Sequence, residues 1–258
     1  MIKPLVGPCP DGPNVMDVSS KKHRVVVAHR GDSGHYPENT AAAFSAAVEL
    51  GVECIELDVH YASDGTLIII HDVTVDRTSD GVGAVADLTH AQIRTFDAGR
   101  WFDDRFAGER FLTLHEALEC IPDPVRLNVH IKAESKTRDA VVASTVGTLR
   151  GRALLDRAYI ASDEATLSVV RQVYSGIEIC NLSVQPAEDY VQRSAAIDCR
   201  ILQPGHAMTD ARLVEEAHRH GMLVFPFFAD EEDEMRRLIA CGVDGMLTNE
   251  PERLQRLK

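Results

Sequence analysis

The stretch "VVVAHRGDSGHYPENTAAAF", residues 25–44, joins an apolar run to a polar turn and then to an alanine-rich segment. The apolar run Val25–Ala28 predicts a buried β-strand, and Thr40–Leu50 has the periodicity of a helix. His29 and Arg30 stand side by side where the strand ends. A strand that leads through a short loop into a helix is the repeating unit of a parallel sheet, so this stretch predicts the first of a series of such units.

The same order of strand and helix recurs along the rest of the chain. The predicted strands are Val25–Ala28, Cys54–Val59, Leu127–Ile131, Ala158–Ala161, Ile177–Leu182, Ile201–Gln203, Leu223–Phe225 and Val243–Leu247. The predicted helices are Thr40–Leu50, Leu114–Cys120, Arg138–Arg150, Glu164–Tyr174, Ala187–Ala195, Asp210–His220, Glu231–Cys241 and Glu250–Leu257. Eight such units in 258 residues predict an α/β fold, a (β/α)8 TIM barrel. An open doubly wound sheet is the alternative, but the sequence has no Gly-rich dinucleotide turn.

One segment interrupts the alternation between the second strand and its helix. The Ser-Asp-Gly sequence at 63–65 is a typical turn, and Leu67–Ile70 predicts a strand that folds back as a hairpin arm. Long insertions at the rim of a barrel are commonly functional. We therefore predict a small insertion on the rim over residues 61–112, within one barrel domain over residues 23–258. Residues 1–22 are rich in proline and glycine and lack periodicity, which predicts an extended N-terminal arm.

Composition and charge exclude several classes of partner. The formal net charge of −13 argues against nucleic acid, because phosphate backbones are bound mainly by an excess of Lys and Arg. A small anionic substrate would need a local cluster of positive side chains. No apolar stretch approaches the ~18–20 residues that span a bilayer, so we expect no stable membrane insertion.

The cysteines and the N-terminus favour a cytoplasmic protein. The six cysteines are scattered without a C-x-x-C pair, which is typical of free thiols in a reducing cytoplasm. The first residues contain prolines and an aspartate where a signal peptide has a continuous apolar core, so secretion is not expected. These patterns leave the oligomeric state open.

Ionisable side chains gather at the ends of the predicted strands, where barrel enzymes have their active sites. They are His29, Arg30, Glu56, Asp58, His60, His71, Asp72, His130, Lys132 and Glu134. Because side chains alternate along a strand, Glu56, Asp58 and His60 share one face of the second strand. His130 and Lys132 likewise share one face of the third. Each residue alone is ordinary, but burying so many charges without a ligand would be costly, and their convergence favours a functional site.

The types of side chain in this set indicate one kind of chemistry. Glu56 and Asp58 are hard oxygen ligands suited to Mg²⁺, Ca²⁺ or Mn²⁺. Positive side chains at the same rim can hold the remaining oxygens of an anion, and imidazoles can take and give a proton near neutral pH. A metal, cations and an acid/base pair together are what phosphodiester cleavage needs.

A set of ordered motifs resembles the glycerophosphodiester phosphodiesterase family. The motifs are "HRG" (29–31), "PENT" (37–40) with Ala43-Phe44, "ELD" (56–58), "SDG" (63–65), "HD" (71–72) with "DRTSDGVG" (76–83), "LTLHEAL" (112–118), "HIK" (130–132) and "GVDGMLTNEP" (242–251). Each motif is weak alone, whereas the ordered set is specific and runs from about residue 25 to the C-terminus.

The resemblance implies a TIM barrel with a small insertion after the second strand. It implies metal-dependent hydrolysis of glycerophosphodiesters to sn-glycerol 3-phosphate and an alcohol, with no organic cofactor. By motif position, the implied acid/base pair is His29 and His71, and the implied phosphate contact is Arg30. The implied metal ligands are Glu56 and Asp58. How the phosphorus is attacked, by water, by a substrate hydroxyl or by an enzyme group, stays open.

Further roles implied by the resemblance fall on residues near the same rim. Lys132 would neutralise the phosphoryl group, and Glu38 of "PENT" would line the substrate pocket. Phe227 stands roughly where the family usually has a tryptophan that lines the pocket. An aromatic surface is retained there without the indole N–H, which predicts a changed glycerol or alcohol side of the substrate.

His130 is the second departure from the family pattern. The third strand of the family normally ends Glu-x-Lys, with the glutamate as a third metal ligand. Imidazole in place of a carboxylate removes a negative charge, so Mg²⁺ or Ca²⁺ should bind more weakly and Mn²⁺ or Zn²⁺ relatively better. Alternatively, Glu134 or His60 completes the metal site.

Two other functions remain as alternatives. The first is a non-enzymatic binding module in which His130 has disabled the metal site. The second is an enzyme similar to the lysophospholipase D and sphingomyelinase D branch, in which an internal hydroxyl attacks and a cyclic phosphate is released. The acidic charge and the lack of a basic amphipathic stretch argue against that branch.

Overall fold

The computed structural model of the protein describes residues 24–182 and 189–258. The extended arm predicted for residues 1–22 lies outside them. So do the first two residues of the helix predicted to begin at Ala187.

Strands and helices alternate along the described residues. The strands are β1 (Val25–Ala28), β2 (Cys54–Tyr61), β3 (Leu67–Ile69), β4 (Arg126–Ile131), β5 (Ala158–Ser162), β6 (Glu178–Asn181), β7 (Ile201–Leu202), β8 (Leu223–Val224) and β9 (Gly245–Thr248). The helices are α1 (Ala41–Glu49), α2 (His90–Ile93), α3 (Leu114–Cys120), α4 (Arg138–Gly151), α5 (Glu164–Val173), α6 (Tyr190–Ala196), α7 (Ala211–Arg219), α8 (Glu232–Cys241) and α9 (Pro251–Gln255). All eight predicted strands are present, with ends within two residues of the prediction.

The strands form a barrel. In the described part of the chain the sheet order is β8-β7-β6-β5-β4-β2-β1-β9, and every neighbouring pair in this order is parallel. Backbone hydrogen bonds from Asp244 N to Val224 O (3.1 Å) and from Leu247 N to Pro226 O (3.0 Å) join β9 to β8. The predicted TIM barrel is therefore confirmed, and the open doubly wound alternative is wrong.

Two apolar layers hold the barrel together. The larger layer lies between the strands and the helices, where residues such as Phe44, Leu57 and Leu127 are fully buried. The second fills the inside of the barrel and consists of Val25, Val27, Cys54, Tyr159, Ala161, Cys180, Ile201, Phe225 and Leu247. Alternate residues of each strand face these two layers, so the polar side chains that follow the inner set point into the barrel mouth.

The segment after β2 forms a small unit on the rim. Strand β3 pairs antiparallel with β2, in the register Val59↔Ile69, so the predicted hairpin arm is present. The unit has its own apolar cluster, which consists of Ala62, Ile68, Ile70, Val75, Val85, Ile93, Ala98 and Phe111. This cluster gives the loops that follow β3 a fixed support beside the strand ends.

Among the described helices, none combines the length and the apolar character that a membrane span requires.

The turn after β1 is set by residues with positive φ. Arg30 has φ of 57° and Gly31 has φ of 85°, which turns the chain sharply at the barrel mouth. Thr40 then begins α1 by accepting a hydrogen bond from the Ala43 backbone N–H. A Cβ on Gly31 would lie 2.6 Å from the backbone carbon and oxygen of Ala43, so only glycine fits between the turn and α1.

We expect Gly31→Ala to lower the free energy of unfolding by about 2–4 kcal/mol, because it adds a backbone clash to the cost of positive φ. Gly51→Ala is the matched control. Gly51 has φ of 71°, but a Cβ there meets nothing within 4 Å, so its cost should stay near 1 kcal/mol. Urea unfolding of both variants measures the difference, and equal losses would contradict the close packing assigned to Gly31.

Candidate active site at the strand ends

The carboxyl ends of the strands open into a cavity of about 970 Å³. The predicted residues that line it are His29, Arg30, Glu56, His60, His71, Asp72, His130, Lys132, Glu134 and Phe227. A smaller cavity of about 430 Å³ adjoins it at His29 and Arg30, and Glu38 lines this second space. The strand topology thus brings together side chains that are up to about 200 positions apart in the sequence.

Two strands place three metal-ligating side chains side by side. Glu56 and Asp58 are alternate residues of β2, and Asp58 is the register partner of His130 on β4. The Nδ1 atom of His130 lies 3.2 Å from Asp58 Oδ1 and 3.8 Å from Glu56 Oε1. One ligand atom from each of the three residues lies within 4.8 Å of the others, so the three could share one metal ion.

Asp58 is a fully buried carboxylate surrounded by positive groups. Arg30 Nε lies 3.2 Å from Asp58 Oδ2, and Lys132 Nζ lies 3.2 Å from Asp58 Oδ1. The amide of Asn39 donates to Oδ2 at 3.0 Å. Burial opposes ionisation, but the contact with His130 and the charges of Lys132 and Arg30 outweigh it and hold the pKa of Asp58 well below its ordinary value.

The pKa of the neighbouring carboxyl group, Glu56, is shifted in the opposite direction. Burial and the negative charge of Asp58 raise the pKa of Glu56 well above its ordinary value. Glu56 Oε2 accepts a hydrogen bond from the backbone N–H of Arg30 at 3.1 Å. Without a cation between them, these two carboxyl groups therefore favour different protonation states.

The donor set fits a divalent cation. Asp58 Oδ1 is a buried oxygen that accepts no hydrogen bond within the described residues, although Lys132 Nζ and His130 Nδ1 lie near it. Two buried carboxyl groups side by side repel each other when both are ionised, and a bound cation would offset that repulsion in addition to the charges of Lys132 and Arg30. Two carboxylates and one imidazole are ligands that Mg²⁺, Mn²⁺ and Zn²⁺ all accept, with different preferences.

His29 presents an unprotonated nitrogen to this site. The Asn249 amide nitrogen donates to Asp230 Oδ2 at 2.7 Å, so its oxygen is the atom that faces His29 Nδ1 at 2.8 Å. His29 Nδ1 must therefore carry the hydrogen, and Nε2 keeps its lone pair, 4.0 Å from Glu56 Oε2. Burial and the charge of Arg30 lower the pKa of His29 to about 4, so its ring is neutral near pH 7.

His71 follows β3 on the rim unit and lines the same cavity. Its Nδ1 lies 2.7 Å from Asp72 Oδ1, which fixes the orientation of the ring. The ring of His60 bonds to the backbone oxygen of His71 at 3.0 Å, so His60 fastens the hairpin. Burial lowers the pKa of His60, which is consistent with a neutral structural ring.

The three candidates for a third metal ligand lie at different positions relative to the two carboxylates. His130 belongs to the group with Glu56 and Asp58, whereas His60 and Glu134 do not belong to any such group among the described residues. Glu134 is exposed at the rim of the cavity. The strand pairing explains the difference, since β2 pairs with β4 up to Val59↔Ile131 and turns away with β3 beyond that point.

Phe227 lies on the wall of the cavity. The next residue, Phe228, was not predicted and stacks on His29 with ring centroids 5.4 Å apart and planes 19° apart. Other residues that the sequence analysis did not assign to the site also contact its members. They are Asn39, Arg77 and Asn249, and Asp230 in turn contacts Asn249. Asn39, Arg77 and Asn249 stand within the quoted motifs, which is the signal that could have identified them.

Comparison with known proteins identifies relatives over nearly the whole chain. The model of the glycerophosphoryl diester phosphodiesterase family matches residues 29–253. A glycerophosphodiester phosphodiesterase of Caldanaerobacter subterraneus subsp. tengcongensis is 37% identical over 232 residues, which cover 89% of this chain and 96% of that protein.

Solved structures agree with this result. A phosphodiesterase of Oleispira antarctica, in complex with the product sn-glycerol-3-phosphate, superposes with a TM-score of 0.84 at 28% identity and covers 90% of this chain and 95% of its own. A glycerophosphodiester phosphodiesterase of Agrobacterium tumefaciens superposes with a TM-score of 0.81 at 26% identity, over 91% of this chain and 100% of its own.

Proposed function

The chain belongs to the glycerophosphoryl diester phosphodiesterase family, and on that premise we propose that it hydrolyses a glycerophosphodiester to sn-glycerol 3-phosphate and an alcohol. The observation that supports this most is the shared cavity. It is lined by the neutral ring of His29, by two cationic side chains and by two of the three side chains that could hold a metal, and the third, Asp58, is buried directly beside them. The relative from Oleispira antarctica, which holds sn-glycerol-3-phosphate, supports the same reaction.

Glu56, Asp58 and His130 are the residues that would hold the divalent cation. The family implies Mg²⁺ or Ca²⁺, and the imidazole of His130 makes Mn²⁺ or Zn²⁺ relatively better ligated than an all-carboxylate site would. When bound, the cation withdraws charge from the phosphoryl oxygens.

The two histidines divide the proton transfers. His29 Nε2 is the proton acceptor for the attacking oxygen, because its lone pair faces the cavity and its ring is neutral. We assign the donation of a proton to the leaving oxygen to His71, because it lines the same cavity as His29 and the Asp72 carboxylate at its Nδ1 fixes its orientation. Arg30 and Lys132 bind the phosphoryl oxygens through those of their N–H groups that do not contact Asp58 or Glu38.

The aromatic wall and the second cavity receive the rest of the substrate. Phe227 and Phe228 are 37% and 45% exposed, which is unusual for phenylalanine and provides a surface for an apolar part of the substrate. Glu38 borders the smaller cavity, where hydroxyl groups of glycerol can donate to its oxygens.

The compartment we propose is the cytoplasm, and the substrate is small and anionic. The cysteines Cys54, Cys120, Cys180, Cys199 and Cys241 are free thiols. Free thiols are typical of a reducing compartment.

A metal-scanned assay tests the proposed reaction. Purified protein is incubated with glycerophosphocholine and a panel of related diesters in Mg²⁺, Ca²⁺, Mn²⁺ or Zn²⁺, and the products are followed by phosphorus NMR. We expect the resonance of a phosphate monoester and loss of turnover on chelation of the metal. A cyclic phosphate would favour attack by an internal hydroxyl, and no turnover of any diester with any metal would favour a binding module.

We expect His29→Gln and His71→Gln each to lower kcat by roughly 10²–10⁴-fold, which is the usual contribution of a positioned acid or base. Steady-state kinetics on the diester that wild type hydrolyses fastest provide the measurement. His35→Gln is the matched control, since His35 is half-exposed on the adjoining loop, pairs with Asp32 and does not line the main cavity. A fall of less than about tenfold in either variant would remove that histidine from proton transfer.

His130→Glu should shift the metal preference towards Mg²⁺, because it restores a third carboxylate at the position that faces Glu56 and Asp58. The measurement is the ratio of kcat/KM in Mg²⁺ to that in Mn²⁺, which we expect to rise at least about tenfold. His60→Gln alters a neighbouring buried histidine outside the group and should leave the ratio unchanged. An unchanged ratio in His130→Glu would show that His130 does not ligate the metal.

A further inference from the structure

Arg77, in the "DRTSDGVG" segment, has no role in the reaction as proposed, yet it makes an unusual pair of contacts. Its guanidinium donates from Nε to Asp72 Oδ2 at 2.6 Å and from Nη2 to Asp72 Oδ1 at 3.1 Å. It also donates from Nη1 to Glu38 Oε2 at 2.9 Å and from Nη2 to Glu38 Oε1 at 2.8 Å. One arginine therefore holds both oxygens of two carboxylates, which only the planar fork of a guanidinium can do.

Each of these carboxylates also contacts a residue of the proposed machinery. Asp72 Oδ1 lies 2.7 Å from His71 Nδ1. Glu38 Oε1 accepts from Arg30 Nη1 at 2.9 Å. An unbroken series of hydrogen bonds thus joins the proposed proton donor on the rim unit to the proposed phosphate contact after β1, with Arg77 at its centre.

Both carboxylates are held in the ionised form that this series needs. Hydrogen bonds from Arg77 lower the pKa of Asp72. Burial raises the pKa of Glu38, but the hydrogen bonds of Arg77 and the charge of Arg30 outweigh it and lower the pKa overall. The guanidinium carbon of Arg77 also lies 5.9 Å from the centre of the Trp101 ring, which supports it from a further direction.

This arrangement links two segments of the site in addition to any stability that it adds. The Arg77 side chain is 44% exposed, so solvent partly screens its ion pairs, although a bidentate network contributes more than an isolated exposed pair. The rim unit is already attached through the β2–β3 pairing and has its own apolar cluster. The paired hydrogen bonds of Arg77 to Asp72 and to Glu38 fix the distance and the angle between these two carboxylates, which belong to different segments of the chain.

We propose that Arg77 is a positioning residue, which rests on the proposed function: through Asp72 it orients His71, and through Glu38 it orients Arg30. Displacement of either group by about 1 Å is expected to cost on the order of 10²-fold in rate. The effect appears in kcat, because the proton donor acts in the transition state.

The test compares Arg77→Met with Arg94→Met in the full-length protein. Arg94 belongs to the same rim unit and pairs with Glu116 at 2.5 Å, but it does not line the cavity. Circular dichroism and thermal unfolding check that both variants fold. We expect kcat of Arg77→Met to fall roughly 10²-fold with KM within about threefold of wild type, and kcat of Arg94→Met to stay unchanged.

Two further measurements separate positioning from charge. Arg77→Lys keeps the charge but loses the fork, so it should stay within about threefold of Arg77→Met. A glycerophosphodiester with a p-nitrophenyl leaving group needs no proton on departure, so the fall in kcat should be smaller than with glycerophosphocholine.

The outcomes are distinguishable. If wild type hydrolyses neither diester with any of the four metals, the proposed function fails. If wild type is active and Arg77→Met matches Arg94→Met, or if Arg77→Lys fully restores kcat, the positioning role is wrong. An equal fall with both leaving groups would overturn the action through His71.

Discussion

The site depends on one buried negative charge. Asp58 has no solvent exposure, and its carboxylate is compensated by Arg30, Lys132, His130 and Asn39. An uncompensated charge in that position would cost several kcal/mol, so the groups that surround it cannot be rearranged independently. The sharp turn at Arg30, the pairing of β2 with β4 and the presence of a lysine two residues after His130 all serve the same carboxylate.

Much of the fold and part of the site could be predicted from sequence, for one physical reason. Side chains alternate along a strand, and the carboxyl ends of barrel strands meet at one mouth, so Glu56, Asp58, His130 and Lys132 could be placed together without coordinates. The same alternation could not decide whether His60 or His130 lies beside Glu56 and Asp58. His60 has the correct parity on β2, but the strand leaves the barrel at that point to pair with β3, and this depends on the tertiary course of the chain.

Residues that reach the proposed catalytic groups only through hydrogen bonds between loops were harder to find. No periodicity or spacing in the sequence connects these residues to their partners. Asn249 lies 220 positions from His29, and Asp230 lies 19 positions from Asn249. Arg77 lies 39 positions from Glu38. Their function depends on which atom of an amide or guanidinium faces which neighbour. That information arises only when the loops are packed, so a sequence pattern can mark the residues without assigning their roles.

The groups behind the two histidines give them different properties. The oxygen that faces His29 Nδ1 belongs to a neutral amide, and the one that faces His71 Nδ1 belongs to a carboxylate. An amide fixes the tautomer and adds no net charge, so a buried ring beside Arg30 stays neutral and able to accept a proton. A carboxylate fixes the same tautomer of His71, and Arg77 holds that carboxylate in place. The proposed division of the proton transfers therefore rests on different supporting groups, a neutral amide behind the proposed proton acceptor and an ion pair behind the proposed proton donor.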